Sequence, residues 1–249
     1  MALSLRLSAL LTTLALPASF AHAQEPPRPI EFTGDIGLVN AAGNSRVTTI
    51  NLGDRLLVRV GKVLLTQTFA MVYGRSEGEV NANNRQARVR AEYPAGGRVL
   101  AYGFVGYERD RFAGIARRFD EGAGISWAAV RGDQNELQVE AGLGFAQERV
   151  YPDPEEDLTI SRRYLSGRLA SRYRHRFTET AYLQQSVEFL PDLEHGLGHR
   201  LTSESALVAP LSRRIALKVT YLIKYNRTPP SAELVKTDRM LTTGLQVSL

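Results

Sequence analysis

Arg168, Arg172 and Arg174 share one parity within a single stretch of chain. Guanidinium groups stacked along one strand face can grip carboxylates or phosphates bidentately, so this column is a candidate track for anions. Two readings stay open, because Glu140, Glu148 and Glu188 on flanking segments are possible cross-strand partners. The column is either a solute-facing strip or part of an ion-pair network. Arg88, Arg90, Lys218 and Lys224 share the same predicted face with Glu92, Glu108, Asp120 and Glu204. That face therefore carries seven positive and seven negative groups. A strongly selective pore would show rings or rows of one sign.

A second group, the loop motif Arg109-Asp110-Arg111-Phe112, mixes signs, with Arg117 and Arg118 close behind. It either lines a pore or contacts lipopolysaccharide phosphates, or pairs with itself and folds over the barrel mouth. Asp153, Glu155, Glu156 and Asp157 can share a divalent cation or form a solvated loop tip. Beyond the first 23 residues the histidines are His175, His195 and His199. His195 and His199 are four apart, but in a glycine-bearing loop that does not aim both at one metal. His199 shares parity with Ser203 and Ser205 at roughly 13–20 Å along an extended strand, too far for a nucleophile and its base. With no cysteine in the chain, disulfides and thiolate metal sites are excluded. The expectation is no catalytic residue, no metal ligand and no cofactor.

The elements that would position these groups are strands. From Glu31 onward the pattern alternates with period two, interrupted by turn residues. In Ile215–Tyr225 the odd positions are Ile, Leu, Val, Tyr, Ile and Tyr, while Lys218, Thr220 and Lys224 lie between them. Twelve strands are expected, at 31–39, 45–58, 63–75, 84–93, 98–108, 117–127, 135–148, 160–174, 179–190, 199–209, 214–226 and 237–249. Most are as long as a tilted bilayer-crossing strand of about 9–11 residues. Links such as 59–62, 94–97 and 210–213 are short, and the alternate ones, including 76–83, 109–116 and 149–159, are longer and more polar. An even strand count with turns at one end and loops at the other predicts an all-β, antiparallel transmembrane barrel over 31–249 with both termini periplasmic. Tyr73, Tyr93, Tyr107, Trp127, Phe189 and Tyr225 near strand ends fit interfacial girdles.

Met1–Ala23 has one early charge, Arg6, an apolar run to Leu16, and Ala21-His22-Ala23 as a signal-peptidase pattern. Cleavage after Ala23 leaves a proline-bearing leader over 24–30 and directs the chain to the cell outer membrane. The net charge of +5, from 31 basic and 26 acidic residues, then concerns envelope anions and not nucleic acid. Past that signal, no stretch approaches the ~20 apolar residues of a membrane helix.

The C-terminal segment Thr242-Thr243-Gly244-Leu245-Gln246-Val247-Ser248-Leu249 fits the outer-membrane assembly signal, carried by Gly244, Val247 and Leu249. Leu249 stands where phenylalanine is usual. Gly34-Asp35-Ile36-Gly37 with Gly43-Asn44-Ser45, the segment Tyr107–Ile115, Gly122-Ala123-Gly124, and Lys236-Thr237-Asp238 through Gly244-Leu245 resemble the YdiY-type salt-induced outer-membrane protein family, a domain of unknown function. The resemblance spans nearly all of 31–249 and implies outer-membrane location and a link to salt or osmotic stress; it supplies no substrate. The expected protein is a monomeric, non-enzymatic envelope barrel and small passive pore. Its expected partners are outer-membrane lipids, lipopolysaccharide, the barrel-assembly machinery and periplasmic chaperones. A lipid- or lipopolysaccharide-modifying enzyme and a sealed structural barrel remain the alternatives.

Overall fold

The computed structural model describes residues 29–41, 47–153, 158–194 and 198–249. The predicted signal over 1–23 and most of the leader lie outside these residues. Twelve antiparallel strands close on themselves in the order β1-β12-β11-β10-β9-β8-β7-β6-β5-β4-β3-β2. They are β1 (Ile30–Ala41), β2 (Val47–Val60), β3 (Val63–Ser76), β4 (Glu79–Gly96), β5 (Val99–Asp110) and β6 (Ile115–Arg131). The second half comprises β7 (Asn135–Val150), β8 (Ile160–Arg176), β9 (Tyr182–Pro191), β10 (His199–Pro210), β11 (Ile215–Asn226) and β12 (Thr237–Ser248). A 3-10 turn, Arg111–Ala113, links β5 to β6.

Closure removes the free sheet edges, and alternation then assigns every second side chain to the bore. The outward set is apolar where it must meet lipid: Ile125 is 59% exposed, Leu143 56% and Leu241 67%. On a soluble protein such a continuous apolar surface would be a liability; around a transmembrane barrel it is required. Tyr73, Tyr93, Tyr107, Trp127, Phe189 and Tyr225 all have outward parity in the observed registers. β1 starts and β12 ends at the same end of the barrel, which the short links β2–β3, β4–β5 and β10–β11 share. The opposite, loop end carries the longer β7–β8, β9–β10 and β11–β12 connections.

One predicted link is corrected. Residues 76–83 do not form a polar loop, because β4 begins at Glu79 and runs for 18 residues. Glu77 and Gly78 make the turn, with φ of 53° and 89°. Two consecutive positive φ values match the right-handed twist of the flanking strands. The polar run Asn81–Asn84 was misleading; it pairs with β3 after a bulge near Gly74. Pro94 similarly sits in the last turn of β4, where the register shifts between Pro94 and Gly96, as proline requires in a sheet.

Candidate functional site in the barrel lumen

Away from the bulges near the ends of β4 and β6, even-numbered residues of β4 to β12 point into the bore, which collects charge from many strands. At the waist, Arg168 on β8 donates from Nη1 to Glu140 Oε2 at 2.5 Å and from Nε to Glu188 Oε1 at 2.7 Å. Arg90 on β4 grips the same Glu140 with two contacts, at 2.8 and 3.1 Å, and also reaches Glu92 at 2.9 Å. Arg88 lies 3.4 Å from Glu188. Tyr102 and Phe104 on β5 are wedged among these arginines. Arg90 stacks 4.0 Å from the Tyr102 ring centre, Arg168 lies 5.1 Å from it, and Arg88 sits 4.8 Å from Phe104. Arg168 also donates to the Tyr102 hydroxyl at 2.9 Å. Each guanidinium thus has carboxylate oxygen at its edge and a ring at its face, the two environments its planar charge favours.

Glycines make room for that arrangement. A Cβ on Gly124 or Gly142 would stand 2.6 Å from the Tyr102 hydroxyl oxygen, and one on Gly122 would stand 2.7 Å from Phe104. Gly124 and Gly142 face each other across β6 and β7. The small-residue pattern therefore forms a shallow bed on the inner wall for two aromatic rings.

Nearer the loop end, Arg118 lies between Glu148 at 2.7 Å and Glu108 at 2.8 Å, and is only 4% exposed. Lys224 on β11 meets Glu108 on β5 at 2.9 Å, and Arg200 on β10 meets Asp120 on β6 at 3.2 Å. Half the barrel separates β5 from β11, so the lysine pair bridges the bore from wall to wall. Toward the terminus end, Lys218 pairs with Asp35 at 2.6 Å, and Gln246 donates to the same carboxylate at 3.0 Å.

The predicted arginine column divides. Arg168 is committed to the network. Arg172 makes no hydrogen bond or ion pair among the described residues and remains open to lumen water. Arg174 donates to Gln184 at 2.9 Å and lies 4.9 Å from the Tyr182 ring, while its Nε is buried without a hydrogen-bond partner. Arg55 on β2, within electrostatic reach of Arg172 and Arg174, completes this cationic tier. Glu92 and Glu140 also act on Arg172, but both are held by Arg90. Glu204 stands in register with Arg172 two strands away, across Ser186.

Arg118, grouped with the Arg109–Phe112 motif by proximity, belongs to the lumen instead: β6 begins at Ile115, two residues before its predicted start, and Arg118 has the inward parity of Asp120 and Gly122. Asp35 and Arg55 were missed because alternation is weakest in the first strands, where Asp54 takes outward parity beside Arg55. In the Arg109–Phe112 motif, Asp110 accepts from Asn84 at 2.6 Å and from the Ala113 amide at 3.2 Å. Arg111 lies 5.4 Å from the Tyr151 ring, Phe112 is exposed, and Arg109 faces outward. The loop is thus tied to β4 through Asn84 and to the end of β7 through Tyr151, and Arg109 lies outside these contacts.

Gly244 faces Lys218 on β11, and its α-carbon side lies against Gly37 on β1; a Cβ there would collide with the Ile36 carbonyl. Val247 pairs with Gly34, and the Leu249 amide donates to the Phe32 carbonyl at 3.0 Å. The three predicted assembly positions thus lie along the closing seam. His199 lies between Phe189 and Tyr225 at tilted angles, with both ring centres 5.5 Å away, and His175 meets Asn135 at 2.9 Å. Ser203 and Ser205 both bond Gln185 on the outer face. His195 and Glu155–Asp157 lie outside the described residues. No group of three or more acidic or histidine side chains is placed to hold a metal among the described residues.

Residues 34–249 match the family model described as "Protein of unknown function, DUF481". The uncharacterized protein YdiY of Escherichia coli K12 is 24% identical over 230 residues, an alignment covering 89% of this chain and 84% of that protein. Among solved structures, the NanC porin is similar with a TM-score of 0.49 at 9% identity, covering 87% of this chain and 97% of that one. An outer-membrane channel from Pseudomonas putida F1 scores 0.49 at 8% identity, covering 88% and 94%. The chain belongs to the DUF481 family.

Proposed function

From that membership and the charged bore, we propose that this chain is a non-enzymatic barrel of the bacterial outer membrane that provides a narrow, low-conductance passage for small ions and solutes. The signal over 1–23 exports it, cleavage follows Ala23, both termini face the periplasm, and it works as a monomer. The salt or osmotic-stress role rests on the family resemblance alone. The observation that carries the passage is the lumen itself: charge lines the wall, and Arg172 and the Arg88 side chain, 37% exposed, are still reached by water. The cationic tier of Arg55, Arg172 and Arg174 favours anions over cations in transit.

The wall-to-wall pairs Lys224–Glu108 near the loop end and Arg88–Glu188 at the waist favour a second reading, a barrel sealed across its bore. Planar-bilayer recording separates the two. A passage gives steady, small conductance steps that enlarge when Lys224 and Arg88 are both replaced by alanine. A membrane silent at high protein density, with both wild type and the double variant, refutes it.

A further inference from the structure

The outer wall carries a feature that a passive pore does not need. On β4 to β7, Arg85, Arg109, Arg117 and Arg149 occupy consecutive outward positions toward the loop end, and all four are exposed. Arg85 sits directly opposite Arg109, and Arg117 directly opposite Arg149. The four form one oblique row about 14 Å in arc at the spacing of neighbouring strands. None makes a hydrogen bond, ion pair or ring contact among the described residues.

Like charges placed directly across a ladder destabilise the pair that carries them. Here the clash occurs twice within one row. Glu121, the outward carboxylate on β6, lies four residues from Arg117, roughly 13 Å down the strand. The next outward row toward the membrane centre holds Tyr107 and Phe119, whose ring centres are 5.2 Å apart. Arg163 lies in that lower row, opposite Gln147. Aromatic side chains mark the interfacial level of a bilayer, so the guanidinium groups one step beyond them stand where headgroup phosphates lie.

We propose that this row is a phosphate clamp for the diphosphorylated glycolipid of the outer leaflet, the lipid A moiety of lipopolysaccharide. Paired arginines offer adjoining bidentate forks, and bound phosphate turns a repulsive row into one bridged by anions. The headgroup's two phosphates match the two arginine pairs, which a single-phosphate lipid cannot span. The assignment rests on the outer-membrane reading, and is independent of whether the lumen conducts.

The test compares the full chain with the Arg85→Gln/Arg109→Gln/Arg117→Gln/Arg149→Gln variant, both refolded in a neutral detergent. Arg213→Gln/Arg214→Gln, at the opposite end of the barrel, is the control. Faster migration of unheated samples in detergent gels establishes that each barrel is closed. Without added lipid, the fourfold variant should be more stable than wild type, because the repulsion is relieved. With diphosphorylated lipid A in the micelles the order should invert, and lipid retention in native mass spectrometry should fall about tenfold or more in the variant alone. Equal retention by closed wild-type and variant barrels overturns the clamp. Equal binding of phosphatidylglycerol or of dephosphorylated lipid A overturns the glycolipid assignment. Failure of any version to form a closed barrel refutes the membrane reading itself, a distinct result.

Discussion

Arg118→Met tests whether the lumen charges act as mutual partners. Arg118 is 4% exposed, its Nε is 2.7 Å from Glu148 and its Nη1 is 2.8 Å from Glu108. Methionine fills part of the space and removes both contacts. Glu108 keeps Lys224 at 2.9 Å, but Glu148, 7% exposed, is left with only the Tyr164 hydroxyl at 3.5 Å. Breaking a buried pair from one side costs about 3–5 kcal/mol, mostly because the remaining charge is stranded. The double variant Arg118→Met/Glu148→Gln removes the stranded charge and should recover roughly 2 kcal/mol or more of that loss. The chain has a single tryptophan. Trp127 is half-exposed on the lipid-facing side of β6, so its emission shifts when the barrel leaves detergent or lipid. Urea titrations followed by this emission should show the single variant's midpoint lowered by about 1 M or more, for a slope near 3 kcal/mol/M. The double variant should fall between it and wild type. A single variant within about 1 kcal/mol of wild type, or a double variant no better than the single, refutes the pairing argument.

Gly142→Ala should displace Tyr102 from its glycine bed, break the 2.9 Å bond from Arg168, and cost about 1–3 kcal/mol in the same titration. Tyr102→Phe, which loses the hydroxyl without crowding the wall, should cost less; the reverse order would contradict the bed. Gly244→Val places a branched side chain against the Ile36 carbonyl and should prevent closure at the β1–β12 seam. Unheated and boiled samples of it should then migrate alike in detergent gels, and a persistent heat-dependent shift would remove the seam argument. Arg172→Glu reverses a charge in the cationic tier and should move the reversal potential under a KCl gradient toward cation preference. Unchanged selectivity in a conducting barrel would show that permeating ions do not pass Arg172.

Much of the architecture was legible because lipid outside and water inside impose one rule on every residue of a strand. From β5 to β12, Leu143 must face out if Gly142 and Gly144 face in, and a one-residue error would bring Glu140 to the lipid face. The same rule weakened where both faces are mixed. Asp54 beside Arg55 in β2 obscured which charge enters the bore, and Asn81–Asn84 imitated a loop. The site was legible in its members and in its adjacent-strand pairings, but not in the pairings across the bore. Parity places Arg88 and Glu188 in the lumen, yet β4 and β9 are not neighbours, and only closure of the sheet makes them meet. Sequence offers cross-strand partners for Arg168 on β7 and β9; the Tyr102 and Arg90 contacts cross the bore. Arg118 was readable in principle, since it lies inside the predicted strand 117–127 and shares parity with Asp120 and Gly122; its place one residue from the strand's predicted start grouped it with the loop instead.

The charges on this barrel divide by whether closure supplies them with a partner. Arginine and lysine side chains reach across the bore, so inward charges from distant strands find one another. Arg168 and Arg118 are neutralised by carboxylates on the strands beside them, and Lys224 by Glu108 from across the bore. Outward charges have no such opportunity, because a convex wall carries neighbouring side chains apart and provides nothing opposite them. Among the described residues Arg117 and Arg149 have no anionic partner, whereas Glu148, on the inward face between the same strands, finds Arg118. The same logic separates Arg172 from Arg168: both point inward, yet the carboxylates within reach are already held by Arg90 and Arg168. An unmatched inward cation can act on whatever enters the bore, and an unmatched outward row on whatever surrounds the wall. Substitutions at the paired positions should thus register first as stability. Those at Arg172 should register as selectivity, and those in the Arg85–Arg149 row as dependence on lipid.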